Sequence, residues 1–227
     1  MLKHKVTFAA FVGLVTLVVI PLTLSAVPCR AGMQEDVDRA VSIMERFHDI
    51  PESSIPPAVL RDAKGLAIMT VIKAGFIVSG RGGSGIVVAR TGKKGWSGPS
   101  AIGTGGAGFG LQIGGSVTEF VIVLNTTGAV QAFSQGGNIS LGGDLSVAAG
   151  PVGRTAEAGI MPTAAVYTYS RSQGLFAGVS LEGTVIAARD DANRDYYHKA
   201  VSPSQILAGA VKAPKGAGKL QKVLSRY

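Results

Sequence analysis

The sequence predicts an α+β domain: a strongly curved antiparallel β-sheet or barrel of short Gly-rich strands, flanked by N-terminal and C-terminal helices. Three observations point there. Glycine is abundant, at 32 of 227 residues, yet it lacks the three-residue period of collagen and is mixed with Val, Ile, Ala and Ser. The hydrophobic fraction is 46% against 16% charged, which is too apolar for a disordered chain. Helical periodicity occurs only near the two ends of the domain, whereas the middle reads as β-branched runs broken by turn residues.

The first 31 residues read as a signal peptide. Lys3, His4 and Lys5 form a positive n-region, Val6 to Ile20 an apolar run, and Pro21 its stop. Cys29 and Ala31 then place small residues at the −3 and −1 positions of a cleavage site after Ala31. A retained membrane anchor through residues 6–27 is the alternative, because that stretch nearly spans a bilayer. Lipid attachment at Cys29 ranks last, since Pro28 stands where a lipoprotein signal needs a small residue. Cleavage removes the only cysteine and with it any disulfide or thiol chemistry. The expectation is an exported protein, periplasmic or envelope-associated, with residues 32–227 as one domain.

Glu35 to Asp49 reads as an amphipathic helix, with Val37, Ala40, Val41, Met44, Phe47 and His48 on one face. Its polar face is acidic, unlike a membrane-surface helix, so it is read as a packing helix. Pro56 to Lys64 reads as a short second helix, capped by Ser54 and ended by Gly65. Strands follow at Leu66–Ile72, Phe76–Ser79, Gly85–Ala89, Phe109–Ile113, Val117–Leu124, Ala129–Phe133, Ala164–Tyr169 and Leu175–Ala188. Helix returns after Asp191 and again at Ser202-Pro203, and the basic stretch from Pro214 to Tyr227 reads as frayed or weakly helical.

Catalytic constellations are missing from the sequence. There is no G-x-S-x-G elbow, no H-E-x-x-H and no Walker loop. Two G-x-G-x-x-G matches, at Gly80, Gly82, Gly85 and at Gly103, Gly105, Gly108, precede strand-like runs where a dinucleotide site needs a helix and a later acidic residue. His48 and His198 read as packing or capping residues. Asp190, Asp191 and Asp195 read as helix-start carboxylates, with no metal site expected. The chain is therefore read as no enzyme, with no cofactor and no nucleic-acid partner.

Several segments are similar to the SYLF domain in fixed order: Lys64–Phe76, Gly80–Arg90, Trp96–Gly103, Phe120–Asn125, Gly142–Arg154 and Gly174–Gly183. The resemblance covers nearly all of residues 32–227. It implies a phosphoinositide- or phospholipid-binding module. In eukaryotic members this is joined to Src-homology-3 or FYVE domains, and in fungal proteins it also binds and bundles actin. No adaptor domain is present here, and the signal-like start fits an exported bacterial member.

The net charge of +8 favours an anionic partner. No acidic residue lies between Asp62 and Glu119, while Lys64, Lys73, Arg81, Arg90, Lys93 and Lys94 supply positive charge. Lys93 and Lys94 sit beside Trp96, the only tryptophan, and a basic loop with an interfacial aromatic suits a lipid headgroup boundary. The expected function is non-enzymatic binding of anionic phospholipid through these seven residues. The alternatives are an actin-binding or other protein-interaction module, and a structural envelope protein.

Overall fold

Two long strands organise the molecule. Strand β1 (Gly65–Ala89) and strand β2 (Ser100–Leu124) pair antiparallel along almost their full lengths. The computed structural model describes residues 32–49, 55–92, 95–151, 164–174 and 184–227, with backbone alone at 75–79, 107–113 and 173–174. The signal-like residues 1–31, and Ser54 as a helix cap, lie outside the described residues.

The five short strands expected between Leu66 and Leu124 are thus two continuous ones. Glycines read as turns lie inside them and serve to bend them. In a straight strand Ile68 and Gly85 would stand about 55 Å apart. Here a Cβ on Gly85 would meet the Ile68 carbonyl oxygen at 2.1 Å, and one on Gly83 would meet that of Thr70 at 2.6 Å. β1 therefore folds back onto itself, and only glycine allows the approach. The bend coincides with a register shift between Phe76 and Val78, beside the facing pair Gly75 and Gly114.

On its other side β2 pairs with β5 (Val166–Gly174) and β6 (Val185–Ala188) in a single register, Ser116 opposite Gly174 and Thr104 opposite Ile186. β3 (Asn138–Ser140) pairs antiparallel with β6, and β4 (Val147–Ala149) runs parallel to β5. The sheet is therefore mixed, where a wholly antiparallel one was expected. The stretch between Ala149 and Val166 is long enough for the crossover that a parallel pair needs.

Helix α1 (Met33–Asp49) buries Met33, Val37, Ala40, Ile43, Met44 and Phe47 against the sheet, while His48 is exposed rather than part of that face. Helix α2 (Pro57–Asp62) ends at Ala63. Gly65 belongs to β1, where a Cβ would meet the Val88 carbonyl oxygen at 2.9 Å, so it does not cap α2. Residues 129–133, expected as a strand, lie in helix α3 (Thr127–Ser134). The Thr126 side chain caps this helix by accepting from the Ala129 amide, and Ala129 and Phe133, four apart, point into the core.

Helix α4 (Asp190–Tyr197) opens after Arg189 without a side-chain cap, so Asp191 is not its N-cap. Helix α5 (Pro203–Leu207) begins in a complete capping box of Ser202 and Gln205. The C-terminal stretch is ordered rather than frayed: a 3-10 turn (Lys215–Ala217) leads into helix α6 (Gly218–Leu224), which buries Leu220, Val223 and Leu224.

Each face of the sheet carries a packed core. On one, Leu66, Ile68, Ile86, Val88, Val121 and Val123 pack with α1, α6, Trp96 and Tyr197. On the other, Met69, Val71, Phe120, Ile122 and Ile186 pack with Phe133 of α3 and Leu207 of α5. Burial on both faces explains why these strands read as unbroken apolar runs rather than alternating ones. The fold is an α+β domain built on a strongly curved sheet with helices at both ends of the described chain.

Candidate interaction surfaces

The β1–β2 connection brings Arg90 and Trp96 into one corner. Arg90 and Trp96 bridge across the turn, and the Thr91 amide and hydroxyl both donate to the Gly95 carbonyl, at 2.8 and 3.0 Å. Gly92 and Gly95 hold φ of 60° and 79°, which the tight turn demands of glycine. Trp96 is only 7% exposed, and its indole Nε1–H donates to the Leu224 carbonyl at 3.0 Å. The Arg90 guanidinium lies 4.3 Å above that ring and donates to the carbonyls of Leu60 (3.3 Å) and Tyr227 (2.9 Å). Burial draws Arg90 below the ordinary arginine value. A planar cation stacked on an aromatic and forked between two carbonyls is a structural clamp that holds α2 and the C-terminus to the sheet.

The residues singled out for headgroup binding are distributed along the ribbon. Lys64 is exposed beside this corner, its carbonyl accepting from the Arg90 amide at 2.8 Å. Lys73 stands opposite Ser116, and Arg81 opposite Gly106, where a Cβ would meet the Arg81 Nε at 3.0 Å. Lys93 and Lys94 lie outside the described residues. The ring of Trp96 faces the core, so the aromatic expected at a headgroup boundary is occupied inside the fold.

Sequence reasoning missed two charged contacts that lock α1 to the sheet. Asp36 is buried and takes the Ser84 hydroxyl at 2.6 Å and the Arg189 Nη1 at 2.8 Å, with Arg39 at 3.5 Å. Burial pushes its carboxyl up, while Ser84, Arg189 and Arg39 pull it back. Arg46 grips Glu119 of β2 through both carboxylate oxygens. The signal for Asp36 was its place in the stripe Met33, Asp36, Val37, Ala40, which reads as core.

Beyond the Arg46–Glu119 pair, the sheet presents apolar surface. Ile72 and Val117 are directly opposed across β1 and β2, and they are 47% and 42% exposed. Exposed β-branched side chains facing each other on a sheet are a natural contact surface. Among the described residues no group of His, Cys, Asp and Glu stands together as a metal site.

Residues 105–227 match the family model described as "Ysc84: Las17-binding protein actin regulator". The chain is 52% identical over 206 residues to "Protein YSC84" of Saccharomyces cerevisiae, covering 87% of this chain and 44% of that protein. It is 48% identical over 207 residues to "SH3 domain-containing protein PJ696.02" of Schizosaccharomyces pombe, covering 87% and 48%. Against human "SH3 domain-containing YSC84-like protein 1" the identity is 45% over 207 residues, covering 88% and 60%. The chain thus spans about half the length of these relatives. Identity at this level across nearly the whole of the described fold leaves one assignment: the chain belongs to the Ysc84 family, the SYLF-domain proteins.

Proposed function

We propose that the domain is a non-enzymatic interaction module of the actin-regulating kind, with filamentous actin as its partner. The similarity to proteins described as Las17-binding actin regulators supports this reading. The observation that carries it is the opposed pair Ile72 and Val117, apolar side chains left exposed on the sheet beside the Arg46–Glu119 ion pair. Apolar anchors ringed by charge, here Arg46 and Glu119, are how protein-binding surfaces are built. Co-sedimentation of residues 32–227 with actin filaments tests this. The wild-type domain pellets with filaments, and the double variant Ile72→Glu/Val117→Glu stays in the supernatant with an unchanged circular dichroism spectrum. A double variant that pellets as well as wild type removes this surface from the account.

A second reading, binding of anionic phospholipid, is favoured by the acid-free stretch from Ala63 to Thr118 with its lysines and arginines. Salt-sensitive co-sedimentation with protein-free anionic vesicles distinguishes it from the first, because an actin module has no reason to bind them. We further propose that Met1–Ala31 exports the protein, in which case it meets actin only in a host cytosol. Intact mass of the exported protein, starting at Gly32 rather than Met1 or Cys29, checks this.

A further inference from the structure

The clamp at Arg90 fixes two residues that also line a pocket. Its guanidinium donates to the carbonyls of Leu60 and Tyr227, and both residues are walls of a cavity of about 360 Å³. Helix α1 supplies a further wall through Met44 and Phe47, and Ile55 lines the pocket just ahead of α2. Met44, Phe47, Ile55 and Leu60 all belong to the buried core. The lining is therefore held in place by packing and by the clamp before anything enters it, so a ligand pays little to order it. The volume falls in the range of small-molecule sites, which are apolar with a few polar groups at the edge.

The lining is aromatic and soft. Phe47, His48 and Tyr227 contribute rings, and those of His48 and Tyr227 stand edge to face, with centroids 6.4 Å apart and planes at 73°. Met44 adds a thioether, which packs well on an aromatic ring. His48 was expected on the buried stripe of α1 and instead stands exposed at the pocket. A ring left in water beside an apolar pocket gains contact when a second ring enters.

Charges around the mouth offset one another. Arg226 lines the pocket and takes part in no ion pair among the described residues. Against it, the Asp49 carboxylate is close enough to act on the Tyr227 hydroxyl. Helix α1 also ends at Asp49, with the negative end of its dipole beside His48. A ligand of either sign finds no clear excess of the opposite charge there, and it gives up its water on entering the apolar lining.

We propose that this pocket is a binding site for a small uncharged aromatic molecule of one or two fused rings, seated on Met44, Phe47 and Leu60 with its face or edge against His48 and Tyr227. The site is separate from the Ile72 and Val117 surface and does not depend on the actin reading.

Indole is the probe, titrated into the full chain and observed through 13C-labelled methyl groups. The methyls of Met44, Ile55 and Leu60 are expected to shift saturably, while those of Met69 and Leu207 in the opposite core stay in place. Benzoate and benzylammonium, single rings of opposite charge, bind at least about tenfold more weakly. His48→Trp fills the mouth from an exposed position and removes the indole shifts, with the circular dichroism spectrum unchanged. His48→Ala loses one ring contact and weakens indole binding by about threefold to tenfold. N-acetyltryptophanamide carries the same ring on a peptide backbone and binds more weakly than indole. Absence of a saturable shift, equal shifts in both cores, or shifts that His48→Trp retains would overturn the site. Benzoate or benzylammonium bound more tightly than indole overturns the ligand class. N-acetyltryptophanamide bound as tightly as indole gives the pocket to a partner's side chain and overturns the small-molecule assignment.

Discussion

The corner at Arg90 and a cleft at the end of α4, lined by Lys199, Lys212 and Lys215, both gather positive charge, and they direct it oppositely. At the corner the cation is an arginine, stacked on Trp96 and donating to two main-chain carbonyls. In the cleft the cations are exposed lysines with no ion-pair partner among the described residues. The lesson is that a basic stretch in sequence is not a basic surface in space. A planar guanidinium is drawn inward wherever a ring and carbonyls converge, because it satisfies several of them at once at modest desolvation cost. Ammonium groups hold their water and stay outside.

The contrast breaks most visibly at Trp96. Trp96→Ala removes a buried ring, its bond to Leu224 and the platform beneath Arg90. It is expected to lower stability by about 3–5 kcal/mol in chemical denaturation. A loss below about 1 kcal/mol would mean that the ring is a surface group after all.

Exchanging the two cation types sharpens the same comparison. Arg90→Lys keeps the charge and loses the fork and the stacking, at an expected cost of about 1–2 kcal/mol. Lys212→Arg in the cleft is expected to change stability by less than about 0.5 kcal/mol. Equal midpoints for the two variants would erase the distinction between clamp and cleft.

The smallest effect concerns Tyr196. Its folded pKa of about 12 stands above the ordinary 10.0, so the folded state holds the proton more tightly than the unfolded chain. That contribution is fully present below pH 10 and is lost as pH rises toward 12. Tyr196→Phe should flatten part of the alkaline fall in stability between those values, measured by denaturation at stepped pH.

Much of the fold was legible locally. The α1 stripe, His48 apart, and the helix opening at Ser202-Pro203 are read within one or two helical turns, and the structure bears both out. Strand composition was legible too, but strand continuity was not. A glycine such as Gly85 looks alike in sequence whether it turns the chain or lets a strand press on itself, and the Ile68 backbone that decides the matter is distant in sequence. The run Ala129–Phe133 was misread because a short apolar segment suits either element, and the deciding contact is the Thr126 cap. Trp96 was misjudged for a related reason. Its neighbours in sequence are lysines, while its hydrogen-bond partner is Leu224, near the other end of the domain. The cleft lysines were visible only as residues of a basic C-terminal region, since the turns that bring Lys199 beside Lys212 and Lys215 are tertiary features.

We propose that this fold binds actin through the exposed Ile72 and Val117 surface of its sheet. Sedimentation of residues 32–227 with filamentous actin, across a range of filament concentrations, tests it most directly. Saturable pelleting is expected, abolished by Ile72→Glu/Val117→Glu and left intact by Lys199→Ala/Lys212→Ala/Lys215→Ala. A wild-type domain that remains in the supernatant at every filament concentration would contradict it.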